Sequence, residues 1–258
     1  MEPGVRDHQG RERSGQDQAM IPLVLVPGLM CDQAVWQPLL PALSLHAQCL
    51  VVDHGQADSL THMAEQLLAQ APQRFALAGH SMGGRVALEV MRLAPERVTH
   101  LGLFDTGHLA RASGAAGQEE ARKRHLLLDV AQTQGVRAMA QQWVQGMVAP
   151  ERLRDAALIE EIVRMFERKS ADIFARQIRA LLARPDATLV LQSVRVPSLV
   201  LCGEQDSWSP PAQHQAIADL MPAHPLVVRI ADSGHMSMME QPKAVAQAMM
   251  DWLSQEEI

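Results

Sequence analysis

The feature that most constrains this chain is a strand, a tight turn and a helix that follow one another between residues 75 and 93. The apolar run at residues 75–78 predicts a buried strand, and apolar residues at helical spacing after residue 84 predict an amphipathic helix. The turn between them reads Gly-His-Ser-Met-Gly at residues 79–83. Two glycines suit a close approach of strand and helix, because a Cβ at Gly79 or Gly83 would clash there.

The serine of this turn, Ser81, is a candidate nucleophile. A G-x-S-x-G pattern between a strand and a helix holds its serine in a strained conformation, with the hydroxyl exposed at the top of the sheet. The alternative is a glycine-rich turn that contains a serine by chance, since the pattern is short. The flanking strand and helix favour the nucleophile.

The rest of the chain alternates between short apolar runs and amphipathic helices. Five further runs predict strands, at residues 21–26, 49–52, 98–104, 198–202 and 226–230. This alternation indicates an α/β fold with a mostly parallel sheet of about six strands and helices on both faces. Among the helices, one carrying Trp36 is predicted to begin at Asp32, and the last is predicted at residues 242–253.

Helical periodicity replaces the alternation between residues 107 and 191, which predicts an insertion of about three to five helices. We therefore expect a core formed by residues 21–106 and 192–258, and a helical cap formed by residues 107–191. Residues 1–20 are polar and lack the apolar centre of a signal peptide, so they are expected to form a disordered tail. Met20 is a candidate natural start.

Composition excludes several classes of function. Apolar residues make up 47% of the 258 residues, enough for a sizeable core, and the net charge of −6 disfavours nucleic acid and anionic membranes as partners. The three cysteines lack metal-ligand spacing and are expected to be reduced thiols in a cytoplasmic protein. No apolar run is long enough for a membrane span, and we expect neither a metal nor a cofactor.

Two polar residues at strand ends complete a candidate site with Ser81. The carboxyl ends of parallel strands meet at one edge of a sheet, and Asp206 and His235 follow the last two predicted strands. A free serine hydroxyl is a poor nucleophile and needs an adjacent base. His235 would accept the Ser81 proton through Nε2, and Asp206 would bind Nδ1 and stabilise the imidazolium.

Alternatives exist for both partners of the serine. His235 could be an ordinary loop histidine, although its place after the final strand favours catalysis. Asp105 also stands at a strand end and is the rival acid, and Asp53 is a weaker rival because its strand is expected on the far side of the serine turn. Asp206 is favoured because it follows the penultimate strand.

Acyl transfer also needs N–H donors for the oxyanion of the tetrahedral intermediate. The backbone N–H of Met82 begins the helix after Ser81 and is the first candidate. The second is the N–H of Leu29, in the turn after the first strand, with the N–H of Met30 as an alternative.

Four motifs together carry a resemblance to a known family: Val-Pro-Gly-Leu at residues 26–29, the turn at 79–84, Leu-Cys-Gly-Glu-Gln-Asp at 201–206, and Gly-His at 234–235 followed by Glu-Gln-Pro at 240–242. With them the chain resembles the α/β-hydrolase superfamily over residues 22–253, and within it the small bacterial carboxylesterases, including the pimeloyl carrier-protein methyl ester esterase group. The resemblance implies a helical cap between the sixth and seventh strands of the standard fold. Two features depart from it. Pro27 stands where the family usually has His, and no hairpin precedes Ile21, so an exposed sheet edge is expected near the start.

The expected function is that of a serine hydrolase that cleaves a carboxylic ester of a small or medium apolar acyl group. Lactonase, thioesterase, carbon–carbon bond hydrolase and lyase chemistry on the same fold remain open, as does a receptor that uses the hydrolase scaffold to bind a ligand. Met30 and Met236 are candidate substrate-binding residues, with core packing as the alternative. The tryptophans are expected in the core; they are Trp36, Trp143 and Trp208.

Charge is unevenly distributed along the chain. Residues 107–190 contain 13 Lys and Arg against 10 Asp and Glu, and the remainder contains 10 against 19. The simpler interpretation is a set of solvated helix faces. The sharper hypothesis is that Arg176 and Arg179 of the cap attract an anionic substrate or an acidic carrier protein. The chain is expected to be a monomer or a small homo-oligomer.

Overall fold

The computed structural model describes residues 20–257, so the tail predicted at residues 1–20 lies outside them except for Met20. Six parallel strands form one sheet in the order β2-β1-β3-β4-β5-β6. The strands are β1 (Ile21–Val26), β2 (Ala47–Val51), β3 (Phe75–His80), β4 (Val98–Phe104), β5 (Ser198–Gly203) and β6 (Val227–Ile230). The predicted α/β fold with about six strands is therefore confirmed, and β2 is an edge strand close to the start of the described chain.

Helices cover both faces of the sheet, and five of them lie in the connection between β4 and β5. The α-helices are α1 (Leu40–Leu43), α2 (Leu60–Gln70), α3 (Met82–Leu93), α4 (Gly114–Thr133), α5 (Val136–Trp143), α6 (Ala156–Glu167), α7 (Ala171–Leu182), α8 (Thr188–Ser193), α9 (Pro211–Leu220), α10 (Ser237–Glu240) and α11 (Pro242–Leu253). We call α4 to α7, residues 114–182, the helical segment.

The prediction of a continuous α-helix beginning at Asp32 is wrong. Asp32 does accept a hydrogen bond from the backbone N–H of Ala34, but only a single 3-10 turn follows it. A second 3-10 turn and the four-residue α1 come next. Pro38 and Pro41 explain the break, because neither has the N–H that a continuous α-helix requires.

The serine turn is packed as the glycines indicated. A Cβ added at Gly79 would lie 2.2 Å from the carbonyl oxygen of Gly83. A Cβ added at Gly83 would lie 2.1 Å from the carbonyl oxygen of Val26, at the end of β1. The start of α3 therefore contacts the backbones of two neighbouring strands, which fixes where the turn lies above the sheet.

The helical segment is joined to the loops that follow β1 and β2 by three ion pairs. Their N···O distances are 2.6 Å for Arg168–Asp32, 2.8 Å for Lys169–Asp53 and 2.6 Å for Arg179–Asp58. By contrast, α8 crosses the cap boundary predicted at residue 191 and packs against α3 and α9. The segment thus lies over the carboxyl ends of the strands.

Two further observations concern membrane-spanning helices and the state of the cysteines. No helix within residues 20–257 is long and apolar enough to cross a bilayer. The three cysteines, Cys31, Cys49 and Cys202, are free thiols.

Candidate active site

Ser81 lies between the last residue of β3 and the first residue of α3. Its backbone conformation is one that residues other than glycine rarely adopt. Its φ is 54° and its ψ is −115°. The end of β4 and the loop after it hold it there, because the Ser81 N–H donates to the Phe104 carbonyl at 2.9 Å and the Ser81 carbonyl accepts from the Thr106 hydroxyl at 2.6 Å. Strain of this kind persists only where the surrounding structure imposes it, and it is frequent at functional sites.

His235 connects Ser81 to Asp206. Its Nε2 lies 2.8 Å from Oγ of Ser81, and its Nδ1 lies 2.8 Å from Oδ2 of Asp206. The other oxygen of Asp206 accepts from the backbone N–H groups of Trp208 and Ser209, both at 2.9 Å. The structure therefore brings together the three residues predicted from separate strand ends.

Electrostatics within this group favour a charged pair. Burial alone disfavours the imidazolium, but the charge and hydrogen bond of Asp206 outweigh it and raise the pKa of His235. Burial likewise opposes ionisation of Asp206, yet His235 and the two backbone N–H groups hold the pKa of this carboxyl below its usual value. A proton taken from Ser81 would therefore be stabilised on His235.

Asp105, the rival acid, lies in the same buried region but binds other groups. Its Oδ1 accepts from the backbone N–H of Gly203 at 2.8 Å, and its Oδ2 shares a hydrogen bond of 2.5 Å with the hydroxyl of Ser237. Burial and the nearby charge of Asp206 raise the pKa of Asp105 to about 8. It is therefore mainly protonated at neutral pH. Asp53, the weaker rival, pairs with Lys169 instead.

Glu240 holds the loop that carries His235, a role that the sequence did not reveal. Its buried carboxylate accepts from the backbone N–H of Gly234 at 3.0 Å and of Met236 at 3.1 Å, on either side of His235. It also accepts from the N–H of Ala149, which lies between α5 and α6 in the helical segment, at 2.8 Å. The only available signal was its place in the Glu-Gln-Pro motif six residues after Gly234.

Leu29 and Met82, the candidate oxyanion donors, line the same cavity as Ser81. Among residues 20–257, no protein atom accepts a hydrogen bond from the N–H of Leu29 or Met82. The alternative donor, the N–H of Met30, is already bonded to the side-chain carbonyl of Gln177 at 2.8 Å. Pro27 stands where the family usually has His. Its carbonyl accepts a hydrogen bond from Nε2 of the buried His54 at 2.9 Å.

A cavity of about 680 Å³ opens from Ser81 between the strand ends and the helical segment. Its apolar lining residues, which we call the apolar wall, include Leu29, Met82, Trp143, Met147, Phe166, Leu181, Trp208 and Met236. The polar and charged lining residues include Arg85, Glu119, Glu120, Lys123, Arg124, Arg184 and Gln213.

The cavity corrects two expectations about large apolar residues. Trp143 and Trp208 line it with stacked rings whose centroids lie 5.6 Å apart. Both are half-buried and also pack against the core, so the core prediction describes only part of their surroundings. Met236 lines the cavity as predicted for a substrate-binding residue. Met30 does not line it and is fully buried, so the structure does not bring that residue to the site. Trp36 is fully buried against Phe104.

No group of three or more His, Cys, Asp or Glu side chains in the described part of the chain is placed to hold a metal ion.

The sequence matches a known family over most of its length. A model of the alpha/beta hydrolase family matches residues 23–248. The chain belongs to this family.

Several relatives of this alpha/beta hydrolase share most of its length. The dihydrolipoyllysine-residue acetyltransferase component of an acetoin cleaving system from Pseudomonas putida is 31% identical over 90% of the chain, which spans 63% of that protein. The pimeloyl-[acyl-carrier protein] methyl ester esterase of Photobacterium profundum is 29% identical, over 90% of the chain and 94% of that protein. The structure of a thermophilic esterase from Thermogutta terrifontis, with malate bound, has a TM-score of 0.79 at 26% identity and covers 90% of this chain and 89% of that one.

Proposed function

We propose that this alpha/beta hydrolase is a serine hydrolase that cleaves a carboxylic ester through an acyl-enzyme on Ser81. The observation that carries the proposal is the position of His235, with Nε2 at 2.8 Å from Ser81 Oγ and Nδ1 at 2.8 Å from Asp206. A nucleophile, its base and the group that orients the base are then within hydrogen-bond reach of one another.

In the first half-reaction, Oγ of Ser81 attacks the ester carbonyl while Nε2 of His235 accepts its proton. The N–H groups of Leu29 and Met82 donate to the oxyanion that forms, since neither has an acceptor within the described chain. His235 then gives the proton to the alkoxide oxygen as the carbon–oxygen bond breaks. The alcohol leaves, and the acyl group remains on Ser81.

In the second half-reaction, His235 takes a proton from a water molecule that attacks the acyl-enzyme. Collapse of the second tetrahedral intermediate releases the carboxylic acid and returns the proton to Ser81. Asp206 keeps its charge throughout, because His235 and two backbone N–H groups lower its pKa.

The apolar wall supports an acyl group of small or medium size. Trp143, Phe166, Leu181 and Trp208 all border the cavity, whose volume of about 680 Å³ is in the usual range for small-molecule sites. Both the Photobacterium profundum relative and the Thermogutta terrifontis neighbour are named as esterases. Among the reactions available to this fold, ester cleavage is therefore the one we propose.

The sequence hypothesis of an acidic carrier protein receives less support. The Photobacterium profundum relative is named for a carrier-bound ester. However, Arg179 pairs with Asp58 at 2.6 Å, and Arg176 pairs with Asp172 at 3.0 Å. The positive charge that the helical segment offers to an external protein is thus smaller than its residue count indicates.

Hydrolysis of p-nitrophenyl acetate, butyrate and octanoate tests the proposal. Wild type should turn over at least one ester, and Ser81→Ala should lose nearly all activity. Ser254→Ala is the matched control, because this serine is exposed at the end of α11. Equal turnover by Ser81→Ala would contradict the proposal. Binding of esters without any turnover by wild type would instead favour the receptor.

A further inference from the structure

A single arginine of α3 faces the cavity without a carboxylate partner. Arg85 lies one helical turn beyond Ser81 and lines the cavity beside Gly107, where an added Cβ would lie 2.9 Å from Nη2 of the arginine. Its recorded hydrogen bond is from Nη1 to the backbone carbonyl of Leu109, at 2.9 Å. Across residues 20–257, no carboxylate oxygen lies within 4.0 Å of this guanidinium.

The residues around Arg85 add positive charge rather than neutralise it. Arg184 binds Glu120 through two hydrogen bonds of 2.7 and 2.8 Å, and Arg124 binds the same carboxylate at 3.0 Å. One carboxylate therefore serves two arginines, and Arg85 remains as a third cation. Glu119, the other acid that lines the cavity, is already paired with Arg122 at 2.7 Å.

Electrostatics agree with this geometry. Burial and the charge of Arg184 lower the pKa of Arg85 to about 9, so the guanidinium still carries its charge at pH 7. Arg85 is half-buried. A charge that is partly withdrawn from water without a counterion is costly, and an anion bound beside it would relieve that cost. Within residues 20–257, four of its five N–H donors have no protein acceptor, and together they present the fork that matches a carboxylate.

We propose that Arg85 binds a carboxylate on the substrate, so that the preferred substrates are esters carrying a free carboxylate several bonds from the ester carbonyl. This inference rests on the proposed esterase function. Four residues of helix place Arg85 about 6 Å along the axis from Ser81, so a short chain can join the two groups. Ser81 and Arg85 line the same cavity as several apolar side chains, and apolar surroundings strengthen a charge pair by excluding water.

Paired esters that differ in one charge test the proposal. Monomethyl succinate, glutarate and adipate carry the carboxylate on the acyl side, and the matching half-amides are neutral with nearly the same shape. An acetate ester of 3-hydroxypropionate and its amide place the same charge on the alcohol side. Wild type should prefer the carboxylate member of at least one pair by about tenfold to a hundredfold in kcat/KM, as expected for a charged hydrogen bond. Which series shows the preference identifies the side that carries the charge.

The variant Arg85→Met should abolish that preference, mainly through a higher KM for the charged ester, because binding rather than chemistry is altered. Arg92→Met is the matched control, since this arginine lies on the same helix outside the cavity and pairs with Glu89. Arg92→Met should keep the preference of wild type. An unchanged preference in Arg85→Met, or none in wild type, would overturn the proposal.

A second test, inhibition by dicarboxylates, uses the wild-type protein and so does not depend on a variant that folds. Glutarate should inhibit wild-type hydrolysis of a neutral ester competitively, and glutaramide should inhibit at least about tenfold more weakly. Equal inhibition by both would overturn the role of Arg85. If wild type hydrolyses no ester, the esterase proposal fails, and calorimetry of glutarate binding to wild type and Arg85→Met still decides the carboxylate site. If esters are hydrolysed with full dependence on Ser81 but without a charge preference, only the further inference fails.

Discussion

Nδ1 of His235 lies 2.8 Å from Oδ2 of Asp206, whereas Asp105, buried in the same region, bonds to Gly203 and Ser237. Two acids therefore stand close to one histidine, but only one orients its ring. The other is mainly protonated at neutral pH, because burial and the charge of Asp206 raise its pKa to about 8.

The two acids should differ strongly in their mutational effects. Asp206→Asn removes the charge that stabilises the imidazolium, and kcat should fall by about 10³ to 10⁴. Asp105→Asn replaces a mainly neutral group with a neutral amide, and kcat should stay within about tenfold of wild type. Steady-state kinetics on one p-nitrophenyl ester measure both. A larger loss in Asp105→Asn than in Asp206→Asn would show that Asp105, and not Asp206, orients His235.

The pH profile of kcat/KM should report the titration of His235. As general base it must be neutral, so activity is lost as pH falls through its pKa, which Asp206 raises above the ordinary value of 6.5. The midpoint of the acid limb should therefore lie above 6.5 in wild type and move lower in Asp206→Asn. His80 does not contribute to this limb, because burial lowers its pKa to about 3. A midpoint that follows Asp105→Asn instead would show that His235 does not set the limb.

Glu240 should act as a positioning residue. Glu240→Gln keeps the shape of the side chain but turns one of two acceptor oxygens into a donor, which cannot serve the N–H groups of Gly234, Met236 and Ala149 together. We expect a loss of about 1–3 kcal/mol in the free energy of unfolding and a fall in kcat that exceeds the change in KM. Thermal melts and kinetics measure the two effects.

The matched control is Glu161→Gln, at an exposed position of α6. It should change neither the melting temperature nor kcat appreciably. Equal effects of the two substitutions would remove the special role of Glu240.

The turn glycine Gly83 should tolerate no side chain. In Gly83→Ala the new methyl group would lie 2.1 Å from the Val26 carbonyl oxygen, so α3 has to move away from β1. We expect a loss of about 3 kcal/mol or more in the free energy of unfolding, or failure to fold. Chemical denaturation beside the exposed-site variant Gln70→Ala measures it. A stability equal to that of the control would contradict the close packing of the turn.

The strands could be predicted because each buried strand of a parallel sheet is a continuous apolar run. The predicted bounds of β1 and β4 agree with Ile21–Val26 and Val98–Phe104 in the structure. The helix at Asp32 was predicted wrongly because its apolar spacing is helical while Pro38 and Pro41 interrupt the hydrogen bonds.

The serine, acid and histidine could be placed together because each follows the carboxyl end of a parallel strand. The cavity wall could not be predicted in the same way. The apolar face of a helix has the same pattern whether it packs against a core, as Trp36 does, or borders a cavity, as Trp143 does. Arg85 resembles a solvated helix residue in the sequence, because the residues that form the cavity around it are distant from it along the chain.

The most direct test of an acyl-enzyme on Ser81 is covalent labelling by a fluorophosphonate, followed by mass spectrometry of the digested protein. One adduct per chain on the peptide containing Ser81, lost in Ser81→Ala and slowed at a pH below the pKa of His235, is the expected result. An adduct on another residue, or equal labelling of Ser81→Ala, would contradict the proposed role of Ser81.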